Sequence, residues 1–94
     1  MKRTILIADD EKNTREGLKW LLEDKAERIL LAADGLEALK LLRENEIDLL
    51  ITDLKMPRMD GIELVKRARE EAPRAEVIVL TAHGTVESAV DAMK

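Results

Sequence analysis

The sequence contains no cysteine. That excludes a disulfide framework and any thiolate-ligated zinc or iron–sulfur site. Aromatic residues are reduced to one, Trp20, and basic residues are outnumbered, with 16 Lys plus Arg against 20 Asp plus Glu and a net charge of −4. Single-strand nucleic-acid binding draws on aromatic platforms and duplex binding on a basic stripe. Neither is present, so no direct nucleic-acid binding is expected. No apolar run exceeds five residues, far short of the roughly 20 that span a bilayer. The start Met1-Lys2-Arg3 is basic, but Ile5-Leu6-Ile7-Ala8 gives way at once to Asp9 and Asp10. A signal peptide needs an apolar stretch of about 7–15 residues, so the expectation is a cytoplasmic chain with no membrane contact. The phosphate-cradling loops Gly-x-Gly-x-x-Gly and Walker A are missing as well, which disfavours nucleotide binding.

What is present folds in water: 94 residues, 46% hydrophobic and 38% charged, enough for one small domain over residues 1–94. Four short, β-rich apolar runs stand out, at Thr4–Ala8, Arg28–Ala32, Leu49–Asp53 and Val77–Thr81. Each is followed by apolar residues at helical spacing. These are Leu18, Leu21 and Leu22, then Leu36, Leu39 and Leu42, then Ile62, Val65 and Ala68, and finally Val86, Ala89, Val90 and Met93. Strand alternating with helix predicts a parallel sheet covered by helices, and near-continuous apolar strands suit a sheet buried on both faces. Asp34-Gly35-Leu36-Glu37 and Asp60-Gly61-Ile62-Glu63 read as acidic capping boxes. Thr85 is placed to cap the last helix, and Pro73 to stop the third. Trp20 points away from its helix's apolar stripe.

The polar residues cluster where strands end: Ala8-Asp9-Asp10-Glu11, Thr52-Asp53 and Leu80-Thr81-Ala82. Open parallel sheets bind ligands outside the carboxyl ends of their strands. With strands 1, 3 and 4 as neighbours, Asp9, Asp10, Asp53 and Thr81 converge on one site. Clustered carboxylates stay ionised together when a cation neutralises them. An all-oxygen set selects magnesium or calcium, with magnesium the cytoplasmic default. A carboxylate beside magnesium with a hydroxyl nearby suits phosphoryl transfer. Solvated strand-end acids, or acids that cap the next helix, are the bland alternative.

Three segments in this order carry a resemblance: Ile5-Leu6-Ile7-Ala8-Asp9-Asp10-Glu11, Asp48 through Pro57 with Asp53 inside it, and Met59-Asp60-Gly61-Ile62-Glu63-Leu64. With Val77-Ile78-Val79-Leu80-Thr81-Ala82 they resemble the receiver domain of bacterial two-component response regulators. The run from Thr81 to Val90 is most similar to receivers of the nitrogen-regulator, enhancer-binding class. The resemblance implies a flavodoxin-like, doubly wound α/β sheet of order 2-1-3-4. It implies Asp53 as phosphoacceptor from a sensor histidine kinase that docks on the helix 1 face. Asp10 would bind Mg2+, with Asp9 helping through a water and the Lys55 carbonyl adding a ligand. Thr81 would contact the phosphoryl group as the switch residue, with Ala82 leaving room for it, and Pro57 and Gly61 would shape the loop over the site. Such a domain is a phosphoacceptor rather than a turnover enzyme, and it controls an output domain.

Receivers of this kind have five βα units and a lysine ending the fifth strand. The expectation for this chain is therefore a (βα)4 receiver fragment without the fifth unit, whose strand 4 edge favours self-association or domain swapping into a homo-oligomer. The competing reading is a truncated or engineered receiver with a structural role and no efficient phosphorylation. A phosphatase with an aspartyl-phosphate intermediate is disfavoured, because such enzymes usually place a second carboxylate where Lys55 stands.

Overall fold

The computed structural model describes residues 3–80. Within them each β-rich run forms a strand and each of the first three helical stretches a helix, in the order β1 (Thr4–Ala8), α1 (Lys12–Leu22), β2 (Arg28–Ala32), α2 (Gly35–Glu44), β3 (Leu49–Asp53), α3 (Gly61–Glu71) and β4 (Glu76–Leu80). A single 3-10 turn, Glu23–Lys25, closes α1. β4 lies one residue earlier than its apolar run suggests; Thr81, and the last helix with Thr85, fall outside the described residues. All strand pairs are parallel and the spatial order is β2-β1-β3-β4. This is the flavodoxin-like order expected from the sequence.

Side chains alternate across the strands and both faces are apolar. Leu6, Ala8, Ala32 and Leu50 point to one side, where they pack with Ala38, Leu39 and Leu42 of α2 and Leu64 and Ala68 of α3. Ile5, Ile7 and Ile51 point to the other, against Leu18 and Leu22 of α1. Both acidic boxes work as caps. Asp34 Oδ1 accepts the Glu37 N–H at 2.8 Å, and the Glu37 carboxylate returns to accept the Ala33 N–H at 3.1 Å. Asp60 Oδ1 accepts the Glu63 N–H at 2.9 Å. α3 ends two residues before Pro73.

Three apolar positions differ from the helical stripes read in the sequence. Leu21, Leu36 and Ile62 are exposed. On α1 only Leu18 and Leu22 meet the sheet, and Leu21 lies about 60° from Leu18 on the side away from Leu22. Leu36 and Ile62 both stand second in their helices, in the turn that follows the loop above the strand ends. Trp20 is exposed as expected, and Met56 and Met59 pack against the core. Among the described residues no helix is long and apolar enough to cross a membrane.

Candidate functional site

Register builds the site. β1 and β3 are central neighbours, and Ala8 pairs with Thr52. Asp9, just past the end of β1, and Asp53, the last residue of β3, each stand one residue further on and therefore side by side. Asp10 follows in the bend that leads to α1. One carboxylate oxygen from each of Asp9, Asp10 and Asp53 lies within 4.8 Å of the others. Opposite oxygen ligands of an octahedral magnesium ion stand about 4.2 Å apart, twice the usual bond length. Three carboxylates at this spacing fit a hard divalent cation with little adjustment.

The three acids are not equivalent. Asp9 is buried, Asp53 half-buried and Asp10 exposed. Burial pushes the Asp9 carboxyl above the usual carboxylate range. The Glu11 N–H opposes this by donating to Oδ1 at 2.8 Å, and the charges of Asp53, Asp10 and Glu11 push it further up. The backbone under Asp9 is fixed from two sides. Its N–H donates to the Ala32 carbonyl at 3.1 Å, and its own carbonyl accepts from Arg15 Nη1 at 2.8 Å.

Asp53 is held just as closely. Its Oδ1 accepts the Leu54 N–H at 2.7 Å, and among the described residues no donor reaches Oδ2. Buried Thr52 donates its hydroxyl to the Asp53 carbonyl at 2.9 Å. Gly61 opens α3 directly against this backbone. Its N–H donates to the Leu54 carbonyl at 2.7 Å, and a Cβ there would collide with the Asp53 carbonyl oxygen. Gly61 is thus buried at the base of the loop it was expected to shape, while Pro57 is exposed within it. Lys55 is exposed in the same loop; Thr81 and Ala82 lie outside the described residues.

Two sets of contacts around the site are not apparent from the motifs. Arg15 reaches Asp9 from the first turns of α1, six residues away. Gly35 meets the backbone of Met59, which leaves no room for a Cβ on α2's first residue. A signal for the second exists: glycine is a poor helix former, yet it directly follows the cap in both Asp34-Gly35 and Asp60-Gly61.

Acids gathered at the carboxyl ends of the central strands, on a parallel sheet of this order, define a flavodoxin-like α/β domain with an acidic site at its switch point. The chain belongs to the response regulator receiver domain family, whose profile matches residues 5–94. It is 40% identical over 92 residues to the transcriptional regulatory protein YhcZ of Bacillus subtilis, covering 96% of this chain and 43% of that protein. To the transcriptional regulatory protein ZraR of Klebsiella oxytoca it is 39% identical over 90 residues, covering 96% of this chain and 20% of that one. The chain thus spans less than half the length of these curated relatives. A receiver domain structure from Clostridium thermocellum superposes with a TM-score of 0.83 at 36% identity, covering 97% of this chain and 74% of that one. The chemotaxis response regulator CheY4 of Vibrio cholerae gives 0.84 at 29% identity, covering 97% and 78%.

Proposed function

We propose that this chain is the phosphoacceptor unit of a two-component response regulator and that Asp53 is the residue phosphorylated. The observation that carries the reading is the convergence of Asp9, Asp10 and Asp53 within 4.8 Å at the carboxyl ends of the two central strands. Asp53 Oδ2 attacks a phosphoryl group carried on a histidine nitrogen of a sensor kinase. The P–N bond breaks, a P–O bond forms, and the imidazole leaves. The Leu54 N–H holds Oδ1, so that the attacking oxygen keeps one orientation. Asp9, Asp10 and Asp53, with the Lys55 carbonyl as a further ligand, would hold Mg2+, which would supply positive charge to screen the incoming phosphoryl oxygens. Thr81 and Ala82 complete the pocket in this reading.

The exposed Trp20 and Leu21 on α1 support that helix as the kinase-docking face. Output in a whole regulator, including any transcription control, belongs to length beyond the matched region of the YhcZ and ZraR type. Intact mass after incubation with Mg2+ and a small-molecule phosphodonor tests the central claim. A phosphoryl adduct in the parent chain that is lost in Asp53→Asn is the expected result. An adduct that persists in Asp53→Asn refutes the assignment.

One observation favours a second association. Among the described residues β4 pairs only with β3, and Ile78 on it is 46% exposed. An apolar strand edge of this kind pairs readily with another strand, and a second copy of this chain is the proposed partner.

A further inference from the structure

The loop from Leu54 to Gly61 follows Asp53 directly and is pinned at its base, where the Gly61 N–H meets the Leu54 carbonyl at 2.7 Å. Its tip has an unusual shape. The Met59 N–H donates to the Pro57 carbonyl at 2.8 Å, closing a three-residue ring around Arg58, whose φ is 71°. That combination is the γ-turn with a positive central φ, the rare and strained form. Arginine has no intrinsic reason to adopt it, so the surroundings must hold it there.

Both neighbouring contacts come from the start of α2. Arg58 Nη1 lies 3.5 Å from Asp34 Oδ2. Asp34 is buried and already committed through Oδ1 to capping α2, so its second oxygen is fixed in place. Beside it, the Met59 backbone rests on Gly35, where no side chain intervenes. The loop is therefore anchored to β3 and α3 at its base and to α2 at its tip, with Lys55 between the anchors.

We propose that the Arg58–Asp34 pair is a latch that keeps the strained turn closed, making both side chains positioning residues for the loop behind Asp53. The part of this that concerns metal affinity rests on the phosphoacceptor reading above. The latch acts through the backbone and touches no reacting atom.

Asp34→Asn separates the latch from the cap, because asparagine caps helices as well as aspartate does but carries no charge for Arg58. Amide exchange of Met59 in the metal-free chain reads the turn directly, and a calorimetric Mg2+ titration reads its effect on the site. In Asp34→Asn both the Met59 exchange rate and the Mg2+ dissociation constant should rise, by roughly two- to fivefold for an ion pair whose arginine is exposed to solvent. The melting temperature should stay near that of the parent. Adding Arg58→Gly should restore both readings, since glycine takes positive φ without help. Unchanged Met59 exchange in Asp34→Asn overturns the latch, as does a rise that Arg58→Gly fails to reverse. Faster exchange with unaltered Mg2+ affinity overturns the positioning role. A parent chain that binds no Mg2+ defeats the phosphoacceptor reading instead, and Met59 exchange alone then decides whether the latch exists.

Discussion

Two glycine-to-alanine substitutions should move stability in opposite directions, and the structure fixes the sign of each. Gly17 sits in the interior of α1 with nothing within 4 Å of where a Cβ would project. Alanine there gains helix propensity and reduces the freedom of the unfolded chain, together worth about 0.5–1 kcal/mol. Gly61 is the reverse case. A Cβ would collide with the Asp53 carbonyl oxygen and stand 2.8 Å from Leu54 Cα and 2.9 Å from the Asp53 carbonyl carbon. All three are backbone atoms, and none can rotate away. Overpacking of this kind costs up to about 3 kcal/mol. Moving α3 aside also breaks the Gly61–Leu54 hydrogen bond, about 1 kcal/mol more. Helix propensity returns at most about 1 kcal/mol, leaving a net loss of roughly 3 kcal/mol. For a domain of this size Gly17→Ala should raise the melting temperature by about 5 °C, and Gly61→Ala should lower it by on the order of 15 °C. Thermal unfolding followed by circular dichroism measures both. A Gly61→Ala variant that melts within about 2 °C of the parent would show that α3 does not press on the Asp53 backbone.

Asp9→Asn should stabilise the metal-free chain at neutral pH, since the folded state holds the Asp9 carboxyl above its ordinary range, first through burial and then through neighbouring charges. Below the ordinary value of 3.8 both folded and unfolded chains are protonated and nothing is lost. As pH rises past that value the unfolded chain ionises first, so stability falls until the folded group ionises too. The gain from Asp9→Asn should therefore vanish in acid, and melting curves at neutral and acid pH check it. Added Mg2+ at ten times its dissociation constant should stabilise the parent by about 1.4 kcal/mol, with a smaller effect in Asp9→Asn. Strand-edge pairing should appear in analytical ultracentrifugation as a concentration-dependent dimer, which Ile78→Lys should dissolve; a parent chain that stays monomeric across the micromolar range refutes it.

The strands are legible because each is a near-continuous apolar run, as a sheet covered on two sides requires; their order is not in that pattern and follows only from the resemblance to receivers. The acids are legible for a related reason: Asp9, Asp10 and Asp53 interrupt apolar runs at the one end where an open parallel sheet binds ligands. Their ranking is not legible. Asp9 and Asp10 are adjacent and chemically identical, and only the packing shows one buried and the other exposed. Leu21, Leu36 and Ile62 expose the limit of periodicity. Spacing identifies the apolar side of a helix, whereas burial depends on how far the opposing surface extends. Contacts such as Gly35 with Met59 or Arg58 with Asp34 join residues 24 positions apart. They exist only once α2 and the β3–α3 loop have been brought together.

The geometry of the acidic site is thus a consequence of the hydrophobic core. A one-residue slip between parallel strands would turn every side chain of the slipped strand to the opposite face. In β3 such a slip would carry Leu50 away from α2 and α3 and press it toward α1, while Ile51 crossed the other way. Both faces are filled by close-packed residues of different shape, so the slip is resisted by the whole sheet. The register Ala8 to Thr52 survives for that reason, and with it the level placement of Asp9 and Asp53 one residue beyond. The charges themselves oppose this arrangement, because Asp9 is destabilised both by its burial and by its neighbours. Apolar packing against α1 on one side and against α2 and α3 on the other holds together a group of carboxylates that would separate if left free.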